Sequence, residues 1–172
     1  IDKSIERLKH IDDTFHSRIK TLYSTTETLE SQLTQSDLTI GAVLVPGAAA
    51  PKLVTRDMLR TMKAGAVLVD VAIDQGGCFE TSTVTTHDKP TYVVDDIIHY
   101  CVGNMPGAVA HTATLALTNA TLPYVIELAN KDVQQAILDN SNLLNGVNIF
   151  QGKVTHQAVA ESLNYQYSPV SF

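Results

Sequence analysis

One stretch limits what this chain can fold into more than any other: Val67-Leu68-Val69-Asp70-Val71-Ala72-Ile73-Asp74-Gln75-Gly76-Gly77-Cys78. A short apolar run closed by Asp-Gln-Gly-Gly reads as a buried strand of a parallel sheet, with a glycine-rich turn at its carboxyl end. Open α/β sheets bind ligands just past those ends. Asp74 therefore stands where chemistry takes place, beside two glycines that let a ligand approach the backbone. The cluster Cys101-Val102-Gly103-Asn104-Met105-Pro106-Gly107 has the same character. Two such clusters imply a crevice.

The flanking pattern extends this reading. Ser4 can cap a helix through about Asp13, and Arg18 to Ser24 reads as a short strand. Thr25 to Gln35 reads as a second helix. Asp37 to Val45 is a candidate buried strand ended by Pro46-Gly47. Thr55 can cap a helix from Arg56 to Lys63, closed by Ala64-Gly65, and Ala66 to Ala72 is the next strand. After a threonine-rich loop, Thr91 to Val94 and Ile97 to Val102 read as strands. This alternation is the signature of βαβ units on a parallel, doubly wound sheet. The character changes near Met105. Pro106 to Leu128 is long enough for an extended helix, bent at Pro123. Lys131 to Asn140 continues helical, and Asn148 to Lys153 reads as a short extended segment. Thr155 to Asn164 is a last helix with Val159 and Leu163 inward, and the tail to Phe172 reads as loose. The second part is expected to be helical, without strands of its own.

Composition narrows the function. A net charge of −6 offers no basic face for nucleic acid. No apolar run spans a membrane without polar interruption. Charged residues make up 17% of the 172, a low share that suggests extensive burial or subunit contacts. Cys78 and Cys101 read as free thiols of a cytoplasmic protein. The six histidines show no HxxxH or HExxH spacing, so no metal site is expected. The helical pattern begins directly after Ile1-Asp2, which looks like the last step of a strand. The chain is therefore expected to lack the first part of its fold.

Three polar groups fall at crevice positions. Asp2, at the tip of an incomplete strand, stands where a dinucleotide fold places the acid that binds the adenosine ribose, an arrangement that favours NAD over NADP. A solvated helix-entry residue is the alternative. Asp74 can relay protons, hold a water or contact a ribose, or simply satisfy backbone donors as turn aspartates do. Asn104 and Met105 can contact a cofactor ring or form a plain strand-to-helix turn. Val43 and Leu44 offer an apolar wall for a flat ring, which a strand core explains equally well.

In order along the chain, Gly41-Ala-Val-Leu-Val-Pro-Gly-Ala-Ala-Ala-Pro51, Asp70-Val-Ala-Ile-Asp-Gln-Gly-Gly-Cys-Phe-Glu80, Asn104-Met-Pro-Gly-Ala-Val109 and Ala116-Leu-Thr-Asn-Ala-Thr-Leu-Pro-Tyr124 resemble alanine dehydrogenase. The related alpha subunit of nicotinamide nucleotide transhydrogenase differs after Asp74 and at Asn104. The resemblance implies a partial Rossmann-type sheet in residues 1–105, an NAD-binding domain lacking its first βα unit. It implies that 106–172 form a linker helix and the carboxy-terminal part of a split substrate domain. It further implies reversible, NAD-linked oxidative deamination of L-alanine to pyruvate and ammonia, in a homo-oligomer, commonly a hexamer.

Carried over residue by residue, the resemblance makes Asp74 catalytic. It assigns cofactor contacts to Asp2, Arg7, Ser24, Val43, Leu44, Val71, Ala72, Ile73, Asp74, Val102, Gly103, Asn104 and Met105. Two departures stand out. A basic residue that some members carry near the cofactor is Thr83 here, and a Pro-Lys/Arg pair is Ala110-His111. The family's glycine-rich phosphate loop, substrate-binding lysine and catalytic histidine lie in an amino-terminal half outside these residues, so the fragment alone is expected to be inactive. The alternatives are the transhydrogenase subunit and a non-catalytic nucleotide-binding module.

Overall fold

The computed structural model describes residues 1–171. The chain folds as two compact units. The first comprises Ile1–Leu44 and Ala50–Gly103, and the second Val45–Ala49 together with the residues from Asn104 onward.

In the first unit, four strands form one sheet in the order β1-β2-β4-β3, with β1 at Leu38–Gly41, β2 at Val67–Asp70, β3 at Thr91–Val94 and β4 at Ile97–Tyr100. β1 and β4 both run parallel to β2. Register pairs Gly41 with Asp70 and Val69 with Tyr100, so the carboxyl ends of these strands emerge on one edge. β3 departs from the expected parallel sheet. It pairs antiparallel with β4, Val94 opposite Ile97, because only Asp95 and Asp96 separate the strands. Both have positive φ, 50° and 62°, which makes a two-residue hairpin turn that matches strand twist. A parallel pairing would need a crossover of a dozen residues or more.

The helices are short and capped by hydroxyls. α1 spans Ile5–Phe15 with the Ser4 hydroxyl accepting from the Arg7 amide, and α2 spans Thr26–Leu33 under a Thr25 cap. α3 covers only Arg56–Leu59, a shorter helix than the apolar spacing predicts. Its Thr55 cap holds, but from Arg60 to Met62 the amides bond three residues back rather than four, and the chain turns through Gly65 at φ 81°. Leu33, Val54, Met58, Leu59, Leu68, Phe79 and Ile97 close the core. Each such side chain contributes roughly 1.5–3 kcal/mol of apolar burial.

Two further expectations for this unit need correction. Arg18 to Ser24 is not a strand. A 3₁₀ turn takes His16–Arg18, and only Tyr23 forms a bridge, parallel to Asp2. A strand needs a partner along its length, and Asp2 alone lies alongside. The Asp37 to Val45 strand is neither as long nor as buried as expected. It ends at Gly41, with Leu38 and Ile40 exposed.

The second unit starts with a 3₁₀ turn at Met105–Val109 and continues as α4, Ala110–Asn130, unbroken through Pro123. No residue of α4 is buried. α5 (Val133–Asp139) and α6 (Ser141–Asn145) follow as separate helices under Asp132 and Asn140 caps, rather than as one continuation. Contrary to expectation this part has strands: β5 (Ile149–Phe150) and β6 (Lys153–Val154) form a hairpin around Gln151-Gly152, both at positive φ. α7 spans Gln157–Leu163. Its buried residue is Ala160, whereas Leu163, expected inward, is exposed. Of the tail, Phe172 lies outside the described residues. No helix among the described residues is long and apolar enough to cross a membrane.

Candidate functional site

The β2 tip is organised by a residue to which the sequence reading assigned no role. Asp70 is fully buried. Its Oδ1 accepts from the Ala72 amide at 3.0 Å, and its Oδ2 accepts from the Cys78 amide at 2.8 Å, the Phe79 amide at 3.3 Å and the Ser82 hydroxyl. The Cys78 thiol adds a contact to Oδ1 at 3.5 Å. Removing a carboxylate from water is costly unless donors converge on it, and the loop supplies them. The signal was visible: a lone acid inside the run Val67 to Ile73 must find donors somewhere.

Asp74 sits in the 3₁₀ turn Val71–Gln75 that Asp70 caps, and Gly76 ends that turn at φ 87°. It is exposed at the strand edge. Its Oδ1 lies 3.6 Å from where a Cβ on Gly103 would stand, so the carboxylate faces the backbone just past β4. The structure thus brings Asp74 and Gly103 together. The other contacts expected near Asp74 divide by burial. Val71 and Leu44 are exposed apolar side chains, while Ala72, Ile73 and Val102 are buried. Those last three leave almost no side-chain surface for a ligand. Val43 packs on the core from its edge.

A second cluster forms around Asp2. Its amide donates to the Leu22 carbonyl at 3.2 Å, and its own carbonyl accepts from the Ser24 amide at 2.9 Å. Asp2 Oδ1 accepts from the Ser4 amide, and the Ser4 hydroxyl accepts from the Arg7 amide. Asp2, Arg7 and Ser24 therefore share one neighbourhood, held by backbone pairing at a single bridge rather than by a full strand. Asn104 adopts left-handed backbone at φ 58° and opens the 3₁₀ turn in which Met105 lies, within the second unit.

Behind the β2 and β4 tips lies a buried polar chain that the sequence reading also missed. His99 is fully buried and stacks on Tyr92, centroids 5.0 Å apart. Its Nδ1 lies 3.0 Å from the Ile97 carbonyl and its Nε2 lies 2.7 Å from the Thr81 hydroxyl. A carbonyl only accepts, so this network assigns the proton to Nδ1 and leaves Nε2 to accept. Burial pushes the imidazole pKa below its ordinary value, consistent with a neutral ring. The Tyr92 hydroxyl donates to the Thr81 carbonyl and accepts from the Thr83 amide, and lies 3.5 Å from the Cys101 thiol. Burial first, then Cys101, pushes the phenol up to about 12. The Cys78 thiol is likewise pushed up to about 12, by burial and then by the charge of Asp70. Both cysteines are free and buried. At neutral pH Cys78 is a protonated thiol, unsuited to nucleophilic attack.

The arrangement offers an exposed carboxylate on a rigid strand-tip turn, a glycine opposite it that Val84 also lines, and the exposed apolar side chain of Val71 in the same turn. Known proteins resemble this chain over nearly its whole length. The chain is 62% identical over 167 residues to an alanine dehydrogenase of Halomonas elongata, covering 97% of this chain and 45% of that protein. A solved L-alanine dehydrogenase superposes with a TM-score of 0.81 at 46% identity, covering 95% of this chain and 45% of the other. A transhydrogenase from Sinorhizobium meliloti shares the fold, with a TM-score of 0.65 at 22% identity. The chain spans about half the length of the relatives it matches. The fold is of Rossmann type. Residues 1–157 match the family model described as alanine dehydrogenase/PNT, C-terminal domain, and the chain belongs to that family.

Proposed function

We propose that this chain is the NAD-binding and carboxy-terminal portion of an NAD-dependent L-alanine dehydrogenase, with residues 1–105 binding the cofactor. The reaction consumes L-alanine, water and oxidised cofactor, and yields pyruvate, ammonium, reduced cofactor and a proton. The observation that carries the reading is Asp74, exposed on a turn fixed at both ends and facing Gly103 at the carboxyl edge of a parallel sheet.

The residues present suit a nicotinamide nucleotide. Leu44 and Val71 expose apolar side chains for a flat ring, and Gly103, without a side chain, stands beside Asp74 and Val84. Asp2 presents its carboxylate at the entry to α1, where it suits ribose hydroxyls and repels a 2′-phosphate. Bound there, NAD would supply the hydride acceptor for the substrate Cα. Asp74 holds the water that adds to the resulting imine and takes its proton. Asn104 and Met105, which directly follow Gly103 in the chain, are cofactor contacts on the family resemblance. α4 carries exposed Leu115, Leu117, Leu122, Val125 and Ile126. In our reading it packs against the rest of the polypeptide, and the whole assembles as a homo-oligomer in the cytoplasm.

The test is alanine-dependent NADH formation by the whole polypeptide and its Asp74→Asn variant. Turnover is expected to fall by roughly a hundred- to ten-thousand-fold in the variant. Near-normal turnover removes Asp74 from the chemistry. Hydride exchange between two nicotinamide cofactors without alanine would instead favour a transhydrogenase subunit.

A further inference from the structure

The turn that carries Asp74 is gripped from two sides by opposite charges. Asp70 takes amide hydrogens from within, at Ala72, Cys78 and Phe79. Lys52 takes carbonyl oxygens from the other side. Its Nζ donates to Gly76 at 2.6 Å, Gly77 at 2.8 Å and Phe79 at 3.3 Å. The Gly77 carbonyl and the Cys78 amide belong to the same peptide group. That one peptide is held between an ammonium at its oxygen and a carboxylate at its N–H, both at 2.8 Å. Its dipole therefore lies along the field between the two charges, where each bond is charge-assisted and strengthens the other.

The segment bearing Lys52 is itself laced to the loop. The Ala50 amide donates to Gln75, the Leu53 amide to Cys78, and the Glu80 amide back to Val54. The turn is thereby fixed just before Asp74, through Asp70 and Ala72, and just after it, through Gln75, Gly76 and Gly77. Lys52 is an exposed side chain, yet its three partners are all carbonyls of one loop. A solvated lysine would place its ammonium in water instead.

Resting on the reading of Asp74 as the acid–base group, we propose that Lys52 and Asp70, joined through the Gly77–Cys78 peptide, are the positioning pair that holds Asp74 in its reactive place. Neither touches the reacting atoms. The pair acts by denying the turn the small movements that reduce proton transfer, since a displacement of about 1 Å can lower a rate on the order of a hundredfold.

The experiment compares wild type, Lys52→Met and Lys52→Arg in the whole polypeptide, by steady-state kinetics and by amide hydrogen exchange over residues 71–82. Lys52 is exposed, so Lys52→Met should fold. The expected result in Lys52→Met is a kcat lowered about tenfold to a hundredfold, with KM for L-alanine and for NAD within about twofold. Exchange over 71–82 should speed up by about tenfold or more, while exchange in β2 and β4 stays unchanged. Lys52→Arg, which keeps the charge and the donors, should recover most of kcat. Unchanged kcat in Lys52→Met overturns the proposal. So does a lowered kcat with unchanged loop exchange, because the effect then does not pass through the turn. A wild-type protein that oxidises no alanine sinks the proposed function instead. Exchange alone then judges the pair: acceleration in Lys52→Met supports it, and equal exchange overturns it.

Discussion

At the scale of single residues, the strand tip depends on groups that have no freedom to change. Gly77 has φ 76°, and a Cβ there would stand 2.8 Å from Asp70 Oδ2 and 2.7 Å from the Ser82 Cβ. Gly77→Ala should therefore cost about 2–4 kcal/mol in denaturant unfolding, from left-handed backbone and overpacking together. His99 makes a second prediction. Burial lowers its folded-state pKa below the ordinary 6.5, so the unfolded chain binds the proton first as pH falls. Stability is complete above about 6.5 and drains away as pH drops through that value toward the lower folded one. Thermal melts from pH 7.5 down to about 5 should show this slope, and His99→Gln should flatten it. Equal slopes in the two proteins would assign the loss to other groups.

At the scale of elements, turn chemistry decided more than apolar periodicity did. The β3–β4 hairpin closes on Asp95-Asp96, both left-handed. Asp95 is engaged by Arg56 through two hydrogen bonds, which leaves Asp96 as the cleaner position to alter. Asp96→Gly should raise stability by ~0.5–1 kcal/mol, because glycine adopts this conformation without the Cβ penalty. Unfolding midpoints of the two proteins check it, and a loss of stability would mean the Asp96 side chain contributes more than its strain costs. The caps at Ser4 and Thr55 were legible because a hydroxyl before an apolar period is a local signal, whereas Thr25, read as the first residue of its helix, caps it instead. The direction of β3 was not read, because two adjacent aspartates do not announce a turn as Asn-Gly does. The strands at 149–150 and 153–154 were masked in the same way: six residues read as extended hide a two-residue turn.

At the scale of the whole molecule, stability is distributed unevenly. β2 and β4 carry Leu68, Asp70, Ile97 and His99, all at 0–1% exposure, while α4 buries nothing. Helices draw most of their stability from packing an apolar face. In the isolated chain, α4 amides should exchange orders of magnitude faster than those of β2, as local opening replaces global unfolding. Exchange mass spectrometry resolves the two. Equal protection would show that α4 is held by contacts as strong as those of the sheet.

The sequence alone determined the α/β class, the positions of β2 and β4 and the placement of Asp74 at a strand tip. Each follows from local pattern, an apolar run meeting glycine, which short-range sterics enforce. Only the tertiary structure decided what holds Asp74 there. Lys52 and Asp70 are 18 positions apart from each other and meet across one peptide of a loop. The network from Asp70 through Ser82 and Cys101 to Tyr92 draws on four separate stretches of chain. Partners of buried polar groups are chosen by the packed interior, where an unmet donor or acceptor is costly, and nothing in the spacing of residues records that choice.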